Sequence, residues 1–127
     1  MIRLIVLLFA IVCSSQIAKA QYFQGNYKYS DHGDIYKYQF KGDSALLIIH
    51  GRDTTHTTYH VDTASNPMQL DIQFYDSEGH AAYTSLCIFE RVGRDNIRIR
   101  MSANLIDRPK GFLPKGNPET ILLVKEK

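Results

Sequence analysis

The residues from Met68 to Tyr75 constrain this chain more than any others. Met68, Leu70, Ile72 and Phe74 fall on one side of an extended backbone, and Gln69, Asp71 and Gln73 fall on the other. A period of two marks a strand with one face on a core and one on water, whereas a helix needs a period near 3.6. The run follows Tyr59-His60-Val61-Asp62 and the turn-forming Thr63-Ala64-Ser65-Asn66-Pro67, so Tyr59–Asp71 reads as strand, tight turn, strand. This says much about fold and little about chemistry.

The same alternation recurs along the chain. Tyr36, Tyr38 and Phe40 oppose Lys37, Gln39 and Lys41, and Ile97, Ile99 and Met101 oppose Arg98 and Arg100. Turn chemistry interrupts it about every ten residues, at 31–34, 41–44, 51–53, 65–67, 76–79 and 92–95. About eight strands are predicted, near 24–30, 35–41, 45–51, 54–62, 68–75, 81–91, 96–101 and 120–125. Short connections favour an antiparallel meander, and a meander of this size removes its edges by closing into an up-and-down barrel. The expected fold is therefore all-β, a small antiparallel up-and-down barrel, with an open sandwich as the alternative.

Two stretches depart from simple alternation. Ala45–Ile49 is apolar on both sides, as for a strand covered on both faces, and the loop at 102–119 is the expected cover. That loop holds Pro109, Pro114, Pro118, Gly111 and Gly116, which exclude regular structure throughout. It is expected to cross one end of the barrel with Phe112 or Leu113 tucked into the core, as a fixed plug or a movable lid.

Residues 1–20 read as a signal peptide. Arg3 gives the positive start, Leu4–Val12 an apolar run too short to span a bilayer, and Ala18-Lys19-Ala20 a small-x-small cleavage pattern. Val12 is a poor fit to the small residue that lipoprotein processing at Cys13 favours. Cleavage after Ala20 would leave a single domain, 21–127, secreted or periplasmic and without stable membrane insertion. Arg3 and Lys19 account for the whole basic excess, since the other 13 basic residues balance the 13 acids. Nucleic-acid binding loses its electrostatic support.

The balanced charge is unevenly spread. Residues 21–90 carry four bases and nine acids, whereas 91–115 carry seven bases and two acids. Folding can mix these charges again, or leave an anion-preferring patch around Arg98, Arg100, Arg108 and Lys110. Cys87 is the one cysteine left after cleavage, so no internal disulfide forms and a hydrophobic core must hold the domain.

Four ordered pieces carry a resemblance. They are Tyr59-x-x-Asp62 with Pro67-x-x-Leu70-Asp71-Ile72; Ile88-Phe89-Glu90; Gly93-x-Asp95-x-Ile97-x-Ile99; and Arg108-Pro109-x-x-Phe112 before Ile121–Lys125. Over about residues 54–126 the chain resembles a small lipocalin-like bacterial family first described from Planctomycetes. The resemblance implies a small lipocalin-like barrel and, since that family has no established reaction or ligand, nothing further about activity. The family pattern has Gly where Cys87 stands and Cys near Arg100, and the N-terminal strands match it only in length and turn spacing.

Reactive constellations are scarce. His56 and His60 share a strand face, but residues four apart on a strand lie about 13 Å apart and cannot share one ion. No zinc-type spacing is present, and no metal or other cofactor is expected. Cys87 has the apolar neighbours Leu86, Ile88 and Phe89, which suit a core residue better than a nucleophile. Asp62 and Asp71 could form a carboxylate pair as in glycoside hydrolysis, but turn capping by Asp62 and an ion pair from Asp71 to Arg98, Arg100 or Arg108 are favoured. No Ser-His-Asp spacing, phosphate loop or His-Glu-x-x-His pattern occurs.

The aromatic content is the best functional hint. Tyrosines facing a barrel interior would line an amphipathic cup, and outward ones would suit a protein-binding surface. The expectation is a non-enzymatic module that holds a small hydrophobic or amphipathic ligand in the barrel mouth. Tyr36, Tyr38, Tyr83 and Phe89 would form the wall, Arg98 and Arg100 the polar anchors, and Arg108–Phe112 the covering loop. The alternative is a solid barrel acting through its exterior as a structural or interaction domain, including inhibition of an extracellular enzyme, with an extracellular protein as partner.

Overall fold

Alternation and turn residues divide the chain into eight strands in the computed structural model, which describes residues 23–112 and 120–127. They are β1 (Gly25–Asp31), β2 (Asp34–Lys41), β3 (Ala45–His50), β4 (Asp53–Asp62), β5 (Met68–Tyr75), β6 (Ala81–Val92), β7 (Asn96–Met101) and β8 (Thr120–Lys125). Each pairs antiparallel with the next, and β8 returns to β1 through Tyr27↔Lys125 and Lys28↔Val124. The fold is a closed, antiparallel, up-and-down barrel, and the sandwich alternative falls away. The leader at 1–20, its cleavage after Ala20, and Leu113 lie outside the described residues.

Local chemistry sets the register. At the β1–β2 turn, His32 and Gly33 both adopt positive φ, 49° and 92°, between the paired Asp31 and Asp34. Two positive-φ residues make the hairpin turn whose twist matches its flanking strands. Between β4 and β5, Asp62 accepts hydrogen bonds from the Ala64 amide at 2.9 Å and the Ser65 hydroxyl at 2.8 Å. These fix where β5 begins, and with it the inward row Leu70, Ile72 and Phe74.

Register carries one row of each strand into the barrel. Tyr27 pairs with Tyr38, Tyr38 with Ile48, Leu46 with Thr57, Tyr59 with Ile72, Leu70 with Cys87, and Phe89 with Ile99. Tyr27, Leu46, Leu70, Phe89, Ile97, Ile99 and Leu123 are fully buried, so the middle of the barrel is filled by side chains. Buried Thr57 satisfies its hydroxyl by donating to the Leu46 carbonyl at 2.8 Å.

The two ends differ. At the end where the chain enters, Phe23 is 1% exposed and stacks on Phe40 at 4.7 Å between ring centroids. It also meets Phe89 edge-on at 4.9 Å and Tyr59 at 6.0 Å. The Tyr59 hydroxyl ties this aromatic plug to the β2–β3 turn by donating to the Gly42 carbonyl at 2.6 Å. At the opposite end, reached by the β1–β2, β3–β4 and β5–β6 hairpins, the inward-facing Tyr29, Tyr36, Ile48, Phe74 and Met101 are only half-buried.

The connection after β7 takes a path other than the one expected. Its described part, residues 102–112, runs down the outside of β5–β7 as a strap. Arg108 donates to Asp71 Oδ1 at 2.5 Å and to the Cys87 carbonyl at 2.8 Å. Beneath it, Ile88 lies on the outward row of β6 and is still only 1% exposed. Phe112 packs outside the core, with the Arg98 guanidinium 4.6 Å from its ring centroid. Nor does the described strap cover β3: the outward Leu47 and Ile49 are half-buried beside paired neighbours on β2 and β4.

Candidate functional site

At the half-buried end the interior row meets solvent over five adjoining side chains, whereas at the end plugged by Phe23 only Val61 and Met68 of that row are half-buried among the described residues. Tyr36 stacks on His50 at 4.3 Å with an interplanar angle of 14°, and Tyr29 approaches Tyr36 at 5.8 Å. Across the opening, Phe74 stacks on Tyr83 at 4.7 Å and 14°. Strands β2 and β6 are four apart in a ring of eight, so these two aromatic groups stand on opposite walls. Their spacing follows from register: Tyr29↔Tyr36, Tyr36↔His50 and Phe74↔Tyr83 are directly paired across neighbouring strands.

The floor is less apolar than the walls. Tyr38, Thr57 and Ser85, and below Ser85 Cys87, lie deeper on the inward rows. Burial pushes the Tyr38 phenol pKa well up, and the neighbouring Cys87, Tyr29 and Tyr36 add to the shift. Burial likewise pushes the Cys87 thiol up to about 11, with a hydrogen bond from Ser85 pulling the other way. Its sulfur lies 3.5 Å from the Ser85 hydroxyl. A thiol held protonated in this way is a poor nucleophile.

Three of the expected wall residues therefore belong to this mouth. Tyr36 and Tyr83 form opposite sides, with Tyr83 46% exposed, and Tyr38 contributes to the floor. Phe89 faces inward too, but it lies in the sealed half against Phe23. Arg98 and Arg100 do not face the interior, because period two sends them outward when Ile97 and Ile99 enter the core. Arg98 pairs with Glu90, and Arg100 donates to the Gly111 carbonyl. Arg108 and Phe112 belong to the strap. The basic cluster is thus engaged in fastening that strap to the wall, with Lys110 left exposed.

The other candidate groups are also accounted for. Hydrogen bonds from Ser65 and Ala64 hold the Asp62 carboxyl below the usual carboxylate range, and Asp71 pairs with Arg108. Each carboxylate thus has a structural partner of its own. Among the described residues, no three His, Cys, Asp or Glu side chains converge to hold a metal ion.

Sequence reasoning did not assign Tyr29, Ile48, His50, Phe74 and Met101 to the wall. Each lies on a hydrophobic or aromatic row, but only strand register shows which rows end at the same opening. Comparison with known proteins adds no further assignment: no family model, curated protein or solved structure matches the chain.

Proposed function

We propose that the protein is an exported, non-enzymatic, lipocalin-like binding module whose aromatic mouth holds a small, partly hydrophobic ligand. The carrying observation is the asymmetry of the barrel ends. Phe23 seals one end, while Tyr29, Tyr36, Phe74 and Tyr83 leave inward-facing aromatic surface half-exposed at the other. Half-exposed aromatic walls above a floor with a few hydroxyls suit an amphipathic ligand. The filled middle limits that ligand to the mouth, so it is small or enters by one end only. The outer wall carries Lys28, Lys37, Lys41, His56, His60 and Gln73 on its strands, unlike the apolar band of a barrel that spans a bilayer.

A second reading is a barrel that acts on a protein partner through its exterior. The strap favours it, since Leu105 is 48% and Ile106 78% exposed at its tip. Native mass spectrometry of the protein recovered from its own host without detergent separates the two. A reproducible added mass, lost on denaturation and lost again in the Tyr36→Ala variant, supports the mouth. A bare mass with a co-purifying protein, lost in an Ile106→Asp variant, supports the strap.

A further inference from the structure

Three of the hairpins that frame the mouth are mainly acidic. The inward rows that place Tyr29 and Tyr36 on the wall continue, two residues on, to Asp31 and Asp34 at the rim. On β4 the same row runs from Thr57 through Thr55 to Asp53. Asp53 pairs with His50, whose ring stacks on Tyr36 and whose Nε2 lies 3.7 Å from Asp34. The β5–β6 hairpin adds Asp76 and Glu78. Across these three hairpins Arg52 is the sole lysine or arginine. Three of these acids are partly engaged: Asp31 bonds the neighbouring His32 at 2.5 Å, Asp76 accepts from the Glu78 and His80 amides, and Asp76 and Glu78 face the His80 ring nitrogen at 3.6 and 3.5 Å. Asp34 is two-thirds exposed and meets His50 only at long range.

Resting on the mouth reading above, we infer that the ligand class is an organic cation, an ammonium group on a flat or compact apolar body. Two independent features select it. Aromatic faces attract cations through their ring quadrupole, and opposed aromatic groups are how quaternary ammonium ions are commonly held. An acidic rim around an opening lined by low-dielectric walls concentrates cations and repels anions. The basic residues that would have attracted an anion are spent on the outer wall, where Arg98 and Arg108 pair with Glu90 and Asp71. The uneven charge of the chain thus resolves into three mainly acidic hairpins at the opening and arginines paired along the side wall.

The test uses two probes of nearly equal shape, 4-hydroxyphenyltrimethylammonium and its uncharged carbon isostere 4-tert-butylphenol. Each is titrated into the protein while amide and aromatic resonances are followed by NMR. The expected result is shifts at Tyr36, Phe74 and Tyr83, with the cation bound about tenfold more tightly than the isostere. Asp34→Asn/Asp53→Asn, both at exposed hairpin positions, should erase most of that difference while leaving isostere binding unchanged. Equal binding of the two probes at the mouth would overturn the cation inference and leave the mouth reading standing. Binding of neither probe, or shifts confined to the strap, would overturn both. Tighter binding of 4-hydroxybenzenesulfonate than of the ammonium would overturn the inference by sign alone.

Discussion

The Arg108 guanidinium reaches 2.5 Å from Asp71 Oδ1 across 37 positions of sequence, and its other terminal nitrogen donates to the Cys87 carbonyl at 2.8 Å. One side chain thereby joins the strap to β5 and β6. Both partners are partly shielded, at 22% and 35% exposure, so the pair is stronger than one free in water. Arg108→Ala should lower unfolding stability by roughly 1–3 kcal/mol, because it removes the charged partner of Asp71 and the side-chain donor to the Cys87 carbonyl. Urea unfolding of Arg108→Ala, Asp71→Ala and the double variant checks this. Additive losses would mean that the two side chains do not support one another.

Phe23 is the second fastening. Its ring lies against Phe40, Tyr59 and Phe89 and is buried to 1% exposure, although it precedes the first strand. Phe23→Ala should cost about 3–5 kcal/mol, the range for removing a large aromatic from a core. Phe23→Leu should cost less, since it keeps part of the apolar volume. The affinity proposed for the opposite mouth should stay the same when measured well below the unfolding midpoint. A loss under 1 kcal/mol for the alanine variant would show that the plug contributes little.

How much of this was legible depends on the range of the interaction. Leu70 and Ile72 were readable as core because alternation is local, and a slip of one residue would expose the whole row. The same rule placed Arg98 and Arg100 opposite Ile97 and Ile99, so an inward role for these arginines conflicted with the pattern that identified β7. The strap's path was not readable, because it is set by contacts such as Arg108 to Asp71 between residues far apart in sequence. The mouth needed register as well: Tyr36, Phe74 and Tyr83 were visible as aromatics, but nothing local reveals that β2 and β6 face each other across one opening.

The Tyr59 hydroxyl isolates a single hydrogen bond. It donates to the Gly42 carbonyl at 2.6 Å while the ring stays packed on Phe40 at 5.1 Å. Tyr59→Phe keeps the ring and removes the donor, so a loss of about 0.5–1.5 kcal/mol is expected. Tyr59→Ala should lose several times that, because it also removes the aromatic contact with Phe23. Thermal unfolding of the two variants separates hydroxyl from ring.

Alkaline pH should expose the remaining weakness of the core. Burial is the largest cause raising the Tyr27, Tyr38 and Tyr59 phenols, and it pushes the Cys87 thiol up to about 11 from an unfolded value near 9. Above the unfolded values the unfolded chain has released protons that the folded chain still holds. Unfolding free energy then falls as pH rises, since its slope follows protons bound unfolded minus protons bound folded. The Cys87 contribution is fully present below about pH 9 and is lost as pH climbs through about 11. The tyrosines extend the loss to higher pH. Urea midpoints should therefore hold steady from pH 7 to 8.5 and decline from 9 to 11, and Cys87→Ala should flatten the lower part of that decline. Thiol labelling at pH 8 provides the matching check: the folded protein should react at least about a hundredfold more slowly than the unfolded chain, through lost thiolate and lost access together. Rapid labelling of the folded protein would mean that Cys87 is neither protonated nor shielded in the way its surroundings require.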